Sequence, residues 1–129
     1  MNLCLDANLD SLRKLFKFSI KGKASFLSYQ EAINLVTKDS SLNMNARDAV
    51  MCYGMSKMTV VFEMAKGPNP YKKMQFVEFL EFIGRVAEEK YKLVEDWPLY
   101  QKIERVLDEL LPIVGSRRND WNRKVEIHY

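Results

Sequence analysis

The sequence predicts an all-α fold made of two related helix-loop-helix units, a fifth helix and a short C-terminal arm. Three observations carry that expectation. The first is a gapless internal repeat, in which residues 27–36 align on residues 74–83. Each copy reads apolar, polar, aromatic, any residue, Glu, and then an apolar face of helical period. The second is a set of further apolar stripes at helical spacing before, between and after the two copies. The third is composition: 47% apolar residues in a chain of 129 suffice for one domain with a real core, which argues against intrinsic disorder.

Taken in order, Asn8 or Asp10 is placed to cap a first helix that runs to about residue 19, with Leu9, Leu12, Leu15 and Phe16 on one face. Residues 20–26 hold Gly22, Lys21 and Lys23 and are expected as a loop. Ser28 and Glu31 form a Ser-x-x-Glu capping box, in which hydroxyl and carboxylate each satisfy an orphan amide at the start of a second helix. Tyr29, Ala32, Ile33 and Val36 make its buried stripe, and Asp39, Ser40 and Ser41 end it. A third helix begins at Asn43 or Asn45 and carries Ala49, Val50, Tyr53, Val61 and Phe62 inward. Its Gly54 and Ser56 predict a bend or break near 54–58.

Gly67, Pro68, Asn69 and Pro70 are the strongest turn signal, because the prolines remove amide donors and fix φ. The fourth helix, over about 75–91, sets Phe76, Phe79, Leu80, Ile83, Val86 and Ala87 opposite Glu78, Glu81, Arg85 and Glu88. Phe82 lies at the edge of that stripe and is a candidate for touching a partner. Asp96 before Trp97 and Pro98 marks the start of a fifth helix, with Tyr100, Ile103, Val106, Leu107, Leu110 and Leu111 on one face and Pro112 and Gly115 at its end. The domain reading is therefore a paired unit over 1–92, a helix packed on it over 93–115, and a basic arm over 116–129.

Each copy of the repeat reads as the second half of an EF-hand opens. In a calmodulin-like pair of EF-hands, loop position 8 joins a short two-stranded contact and position 12 supplies a bidentate carboxylate. Glu31 and Glu78 at position 12 put Leu27 and Met74 at position 8, where an apolar residue is wanted. The other ligand positions are poor in oxygen donors. Positions 1, 3, 5 and 9 would be Ile20, Gly22, Ala24 and Ser28 in the first loop, and Gly67, Asn69, Tyr71 and Gln75 in the second. Lys21, Lys23, Lys72 and Lys73 would repel the ion they should enclose. No metal is expected at either degenerate loop, and the capping box accounts for Glu31 without one.

Residues 29–33 with Lys38 and Asp39, Ser56 to Thr59, and above all residues 74–91 resemble the degenerate EF-hand domains of ciliary and cytoskeletal proteins. They are more distantly similar to the tubulin-polymerisation-promoting protein family. The resemblance covers about residues 9–92. It implies an EF-hand-like fold, scaffolding or microtubule-associated work in the cytoplasm, cytoskeleton or cilium, tubulin or axonemal proteins as partners, and no catalysis. The prolines at 68 and 70 and the long third helix depart from the family pattern.

Other function classes find less in the residues. His128 is the only histidine and sits beside the C-terminal residue, and none of the five glycines falls in a phosphate-binding pattern, so no enzyme and no cofactor are expected. Cys4 and Cys52 are too far apart, and too lacking in histidine company, for a zinc site or a disulfide framework. The N-terminus has no basic start or apolar stretch of signal-peptide type, and no segment is apolar enough to span a bilayer. A soluble intracellular protein without membrane contact is the expectation.

The net charge of +3 names no partner by itself. Arg117, Arg118, Arg123 and Lys124 around Trp121 suit nucleic acid as a second reading, with an acidic protein surface as an equal use of the same groups. A calcium sensor ranks third. Leu110, Leu111, Ile113 and Val114 form the most apolar end of the chain, which either folds inward over the paired units or faces a partner; the inward use is favoured, since monomers rarely leave large apolar patches open.

Overall fold

The computed structural model describes residues 3–64 and 73–119. Its elements are α1 (Leu3–Asp6), α2 (Leu9–Ser19), β1 (Leu27–Ser28), α3 (Tyr29–Val36), α4 (Ala46–Met64), β2 (Lys73–Met74), α5 (Phe76–Lys90) and α6 (Leu99–Leu110), followed by a 3-10 turn over Leu111–Val114. The chain is mostly helical, as its periodicity requires. The turn expected at Gly67, Pro68, Asn69 and Pro70 lies outside the described residues, as do Trp121, Arg123, Lys124 and the side chains of Val61 and Phe62.

The two short strands are the openings of the two repeat copies. They pair antiparallel, with Leu27 opposite Met74 and Ser28 opposite Lys73. Leu27 and Met74 are equivalent residues of the repeat, so the copies meet about a local twofold relation. Both side chains are fully buried. Each copy then turns directly into a helix. The first aromatic of each helix packs against the opening helix of the other unit: Tyr29 lies edge-on to Tyr53 of α4 at 4.9 Å between ring centres, and Phe76 edge-on to Phe16 of α2 at 5.5 Å. Such pairs contribute roughly 0.5–1.5 kcal/mol beyond the area they bury.

The helix ends follow local chemistry. Asn45 caps α4, its carbonyl accepting from Ala49 N–H and its side chain from Arg47 N–H. Asn8 stands at the start of α2 but makes no capping bond there; its amide instead donates to Cys4 O at 2.8 Å. Helix α3 stops at Val36, short of the serines at 40 and 41, because Asp39 N–H turns back to Asn34 O and the Thr37 hydroxyl bonds Ile33 O.

Two expectations for α4 are corrected. The helix runs unbroken through Gly54 and Ser56, and the Ser56 hydroxyl bonds Cys52 O within the helix. Gly54 costs about 1 kcal/mol of helix propensity, which the packing of α4 on α5 and α3 outweighs. Its inward face is Ala49, Cys52, Tyr53, Ser56 and Lys57, while Val50 is 38% exposed.

Helix α5 lies between α4 and α6, which buries two of its faces. Phe82 is therefore a core residue, fully buried and 6.1 Å from the Tyr53 ring. Helix α6 lays Ile103, Val106, Leu107 and Leu110 into the same hydrophobic cluster, and the 3-10 turn packs on α2. The inward use of the apolar end is the one adopted: Leu110 and Leu111 are fully buried, with Ile113 and Val114 partly buried against the core. Among the described residues, no helix is long and apolar enough to cross a membrane.

Candidate functional site

The most chemically distinctive region is the pair of strand-to-helix junctions, where each copy of the repeat places a glutamate at the third residue of a helix. At the first junction the Glu31 carboxylate accepts from Ser28 N–H at 2.9 Å with one oxygen and from Lys21 N–H at 2.5 Å with the other. The Ser28 hydroxyl returns the bond to Glu31 N–H at 3.2 Å, completing the capping box. Burial pushes the Glu31 carboxyl up, but the Ser28 and Lys21 amides, the Ser28 hydroxyl and the Lys21 charge outweigh it and hold the carboxyl below its ordinary value.

At the second junction Glu78 repeats the cap, one oxygen accepting from Gln75 N–H at 2.7 Å. The other oxygen meets a charge. Lys57 Nζ, from the inward face of α4, lies 2.7 Å from Glu78 Oε2, and the two side chains are only 3% and 1% exposed. The same ammonium donates to Lys73 O at 2.5 Å, on the short strand that precedes the helix. One lysine thus ties α4, β2 and α5 together at a point shielded from water. A buried ammonium is tolerated only with a carboxylate and further acceptors around it.

The remaining sequence-derived candidates are dispersed. Phe82, Leu110 and Leu111 belong to the core and are not available to a partner in this fold. Arg117 is exposed. Arg118 is turned back on α6, with its guanidinium 2.8 Å from Glu104 and 2.9 Å from Asp108. The reversal follows Gly115, whose φ of 68° places it in the left-handed region that favours glycine. Asn119 then clamps the start of the arm to the N-terminal helices, its N–H bonding Asn8 Oδ1 at 2.6 Å and its side chain bonding Ala7 O at 3.1 Å.

Sequence reasoning missed Lys57, the residue on which the second junction depends. The series 49, 52, 53, 56 and 57 has helical spacing, but a search for apolar residues passes over a serine and a lysine. It also missed a basic cleft of about 550 Å³ between α2, the loop after it and the start of α5.

Among the described residues, no group of histidine, cysteine, aspartate and glutamate is arranged to hold a metal ion. Cys4 and Cys52 are both buried. Burial, aided by the carboxylates of Glu89 and Asp48 and partly opposed by Arg85, pushes the Cys52 thiol up to about 12. It is not a nucleophile at neutral pH. Comparison with known proteins gives no match to any protein-family model, curated protein or solved structure.

Proposed function

We propose that this chain is a non-catalytic, calcium-independent protein-protein interaction module built on a degenerate pair of EF-hands. In this reading it is an adaptor or structural subunit of a cytoskeletal or ciliary, microtubule-associated assembly. The observation that carries the metal-independent part is the position of Lys57 Nζ between Lys73 O and the Glu78 carboxylate. On EF-hand numbering with Glu78 at position 12, Lys73 is position 7, whose backbone carbonyl is a ligand. A tethered ammonium takes up two of the donors that calcium would use. Support for the paired frame comes from the antiparallel contact of Leu27 with Met74, both at position 8 in that numbering.

The first loop points the same way by a different means, since both Glu31 oxygens are taken by backbone amides. The cytoskeletal part of the reading rests on the resemblance of residues 74–91. Affinity purification of the full chain from its source cells, once in calcium and once in a chelator, tests both parts. Recovery of tubulin or axonemal proteins under both conditions is the expected result. A partner set recovered only in calcium contradicts the metal-independent reading, and a set dominated by chromatin or RNA-processing proteins contradicts the cytoskeletal one.

A further inference from the structure

We infer that the cleft between α2 and the start of α5 is a docking site for an acidic polypeptide segment carrying one apolar side chain among its carboxylates. Helix α2 presents Arg13, Phe16 and Lys17 to the cleft, at the spacing of a single helix face, and Ile20, just past its end, continues that wall. The loop that follows adds Lys23, and α5 adds Gln75 and Phe76. Three cations surround an apolar floor, and no acid is found among the described lining residues. None of Arg13, Lys17 and Lys23 makes an ion pair within the described chain, in contrast to Lys57, Arg85, Lys92 and Arg118.

The charges identify an anionic partner, and the floor identifies its form. A volume of about 550 Å³ exceeds what a bare anion fills and suits one large side chain with its flanking backbone. Base stacking is disfavoured because the Phe76 ring is already engaged. The Arg13 guanidinium lies 4.4 Å over it, Phe16 meets it edge-on at 5.5 Å, and Phe79 stacks with it at 6.3 Å. Nucleic acid on such a surface would want a free aromatic face. A peptide needs only the cations for its carboxylates and the half-buried Ile20 and edge of Phe76, with Phe16 buried beneath them, for its apolar residue.

The inference deepens the interaction-module reading and rests on it for the existence of a protein partner, although the cleft can fail as a site while that reading stands. Its test is fluorescence anisotropy of a labelled peptide with glutamates on both sides of one phenylalanine, titrated with the full chain. Saturable binding that weakens with salt is expected, lost when glutamine replaces glutamate and reduced when alanine replaces the phenylalanine. Arg13→Glu and Lys17→Glu should each weaken it about tenfold, as expected when attraction to several carboxylates becomes repulsion. Lys38→Glu, at an exposed position outside the cleft, should leave it unchanged.

Arg13 and Lys17 are exposed, so unaltered circular dichroism of the variants keeps the comparison on binding rather than folding. Equal weakening by Lys38→Glu, or equal binding of the glutamine peptide, overturns the inference. So does tighter binding of an oligothymidine or of phosphatidylserine vesicles through Arg13 and Lys17. Partner recovery in calcium and in chelator reports separately on the interaction module.

Discussion

The two copies of the repeat hold the same carboxylate at the same helical position and neutralise it in opposite ways. Glu31 is partly exposed and is satisfied by the amides of Ser28 and Lys21. Glu78 is buried, with one oxygen on Gln75 N–H and the other on an ammonium sent in from α4. The contrast teaches that the repeat encodes a helix cap, a local device needing only residues three apart. Charge balance is a property of each site, decided by what the rest of the fold brings near it. A capped glutamate near the surface is held chiefly by amides, with the Lys21 charge a lesser aid, whereas a buried one needs an ammonium in contact.

The largest expected effect breaks the second junction. Lys57→Met should destabilise the chain by about 3–5 kcal/mol, because it leaves the Glu78 carboxylate buried without its partner. Urea unfolding monitored by circular dichroism measures it. Adding Glu78→Gln to Lys57→Met should recover much of the loss, since a buried pair replaced on both sides no longer strands a charge. The same variant exposes the neighbouring thiol. Cys52 lies one turn before Ser56 on the buried face of α4 and should resist iodoacetamide at neutral pH in the wild-type protein. Mass spectrometry should find Cys52 alkylated faster in Lys57→Met, in step with the larger opened population.

The first junction should respond far less. Glu31→Gln is expected to cost about 1 kcal/mol, the scale of a helix-capping bond, and to leave Cys52 labelling near the wild-type rate. A cost equal to that of Lys57→Met would erase the distinction between the two sites. The smallest effect is in the acid limb of stability. The folded Glu31 carboxyl lies below its ordinary value, so its contribution is fully present above that ordinary value and is lost as pH falls through the lower folded one. Glu31→Gln should flatten that part of a stability-against-pH curve, and an unchanged acid limb would contradict the hydrogen-bonding described for this group.

What was legible in the sequence was local. The Ser28 and Glu31 capping box and the stripes of α2, α3 and α6 follow from spacings of three and four residues. The contact of Leu27 with Met74 was legible because the repeat aligned them. What escaped depended on contacts between distant segments. Apolar patterning chose Val50 for the inward face of α4, where the fold buries Ser56 and Lys57, because hydrophobicity is spread around that helix and its polar residues find partners elsewhere. Glu78 was assigned to the polar face of α5 for the same reason. Phe82 lay outside a single-face stripe, but a helix packed between α4 and α6 has two inner faces.

Candidate binding groups were the least legible. Arg118 reads as a cation in a basic arm until the turn at Gly115 directs it onto Glu104 and Asp108. Arg13, Lys17 and Lys23 drew no attention as a group because their common cleft is closed by the start of α5, far along the chain. Their helical spacing on α2 places two of them together, and only the tertiary fold adds Lys23 and Phe76.

Isothermal titration calorimetry of the full chain with millimolar calcium tests most directly the idea that the Lys57 ammonium stands where a divalent ion would otherwise be held. The account predicts heats of dilution alone, with an unchanged helix signal before and after titration. A saturable binding heat accompanied by a change in helix content would contradict it.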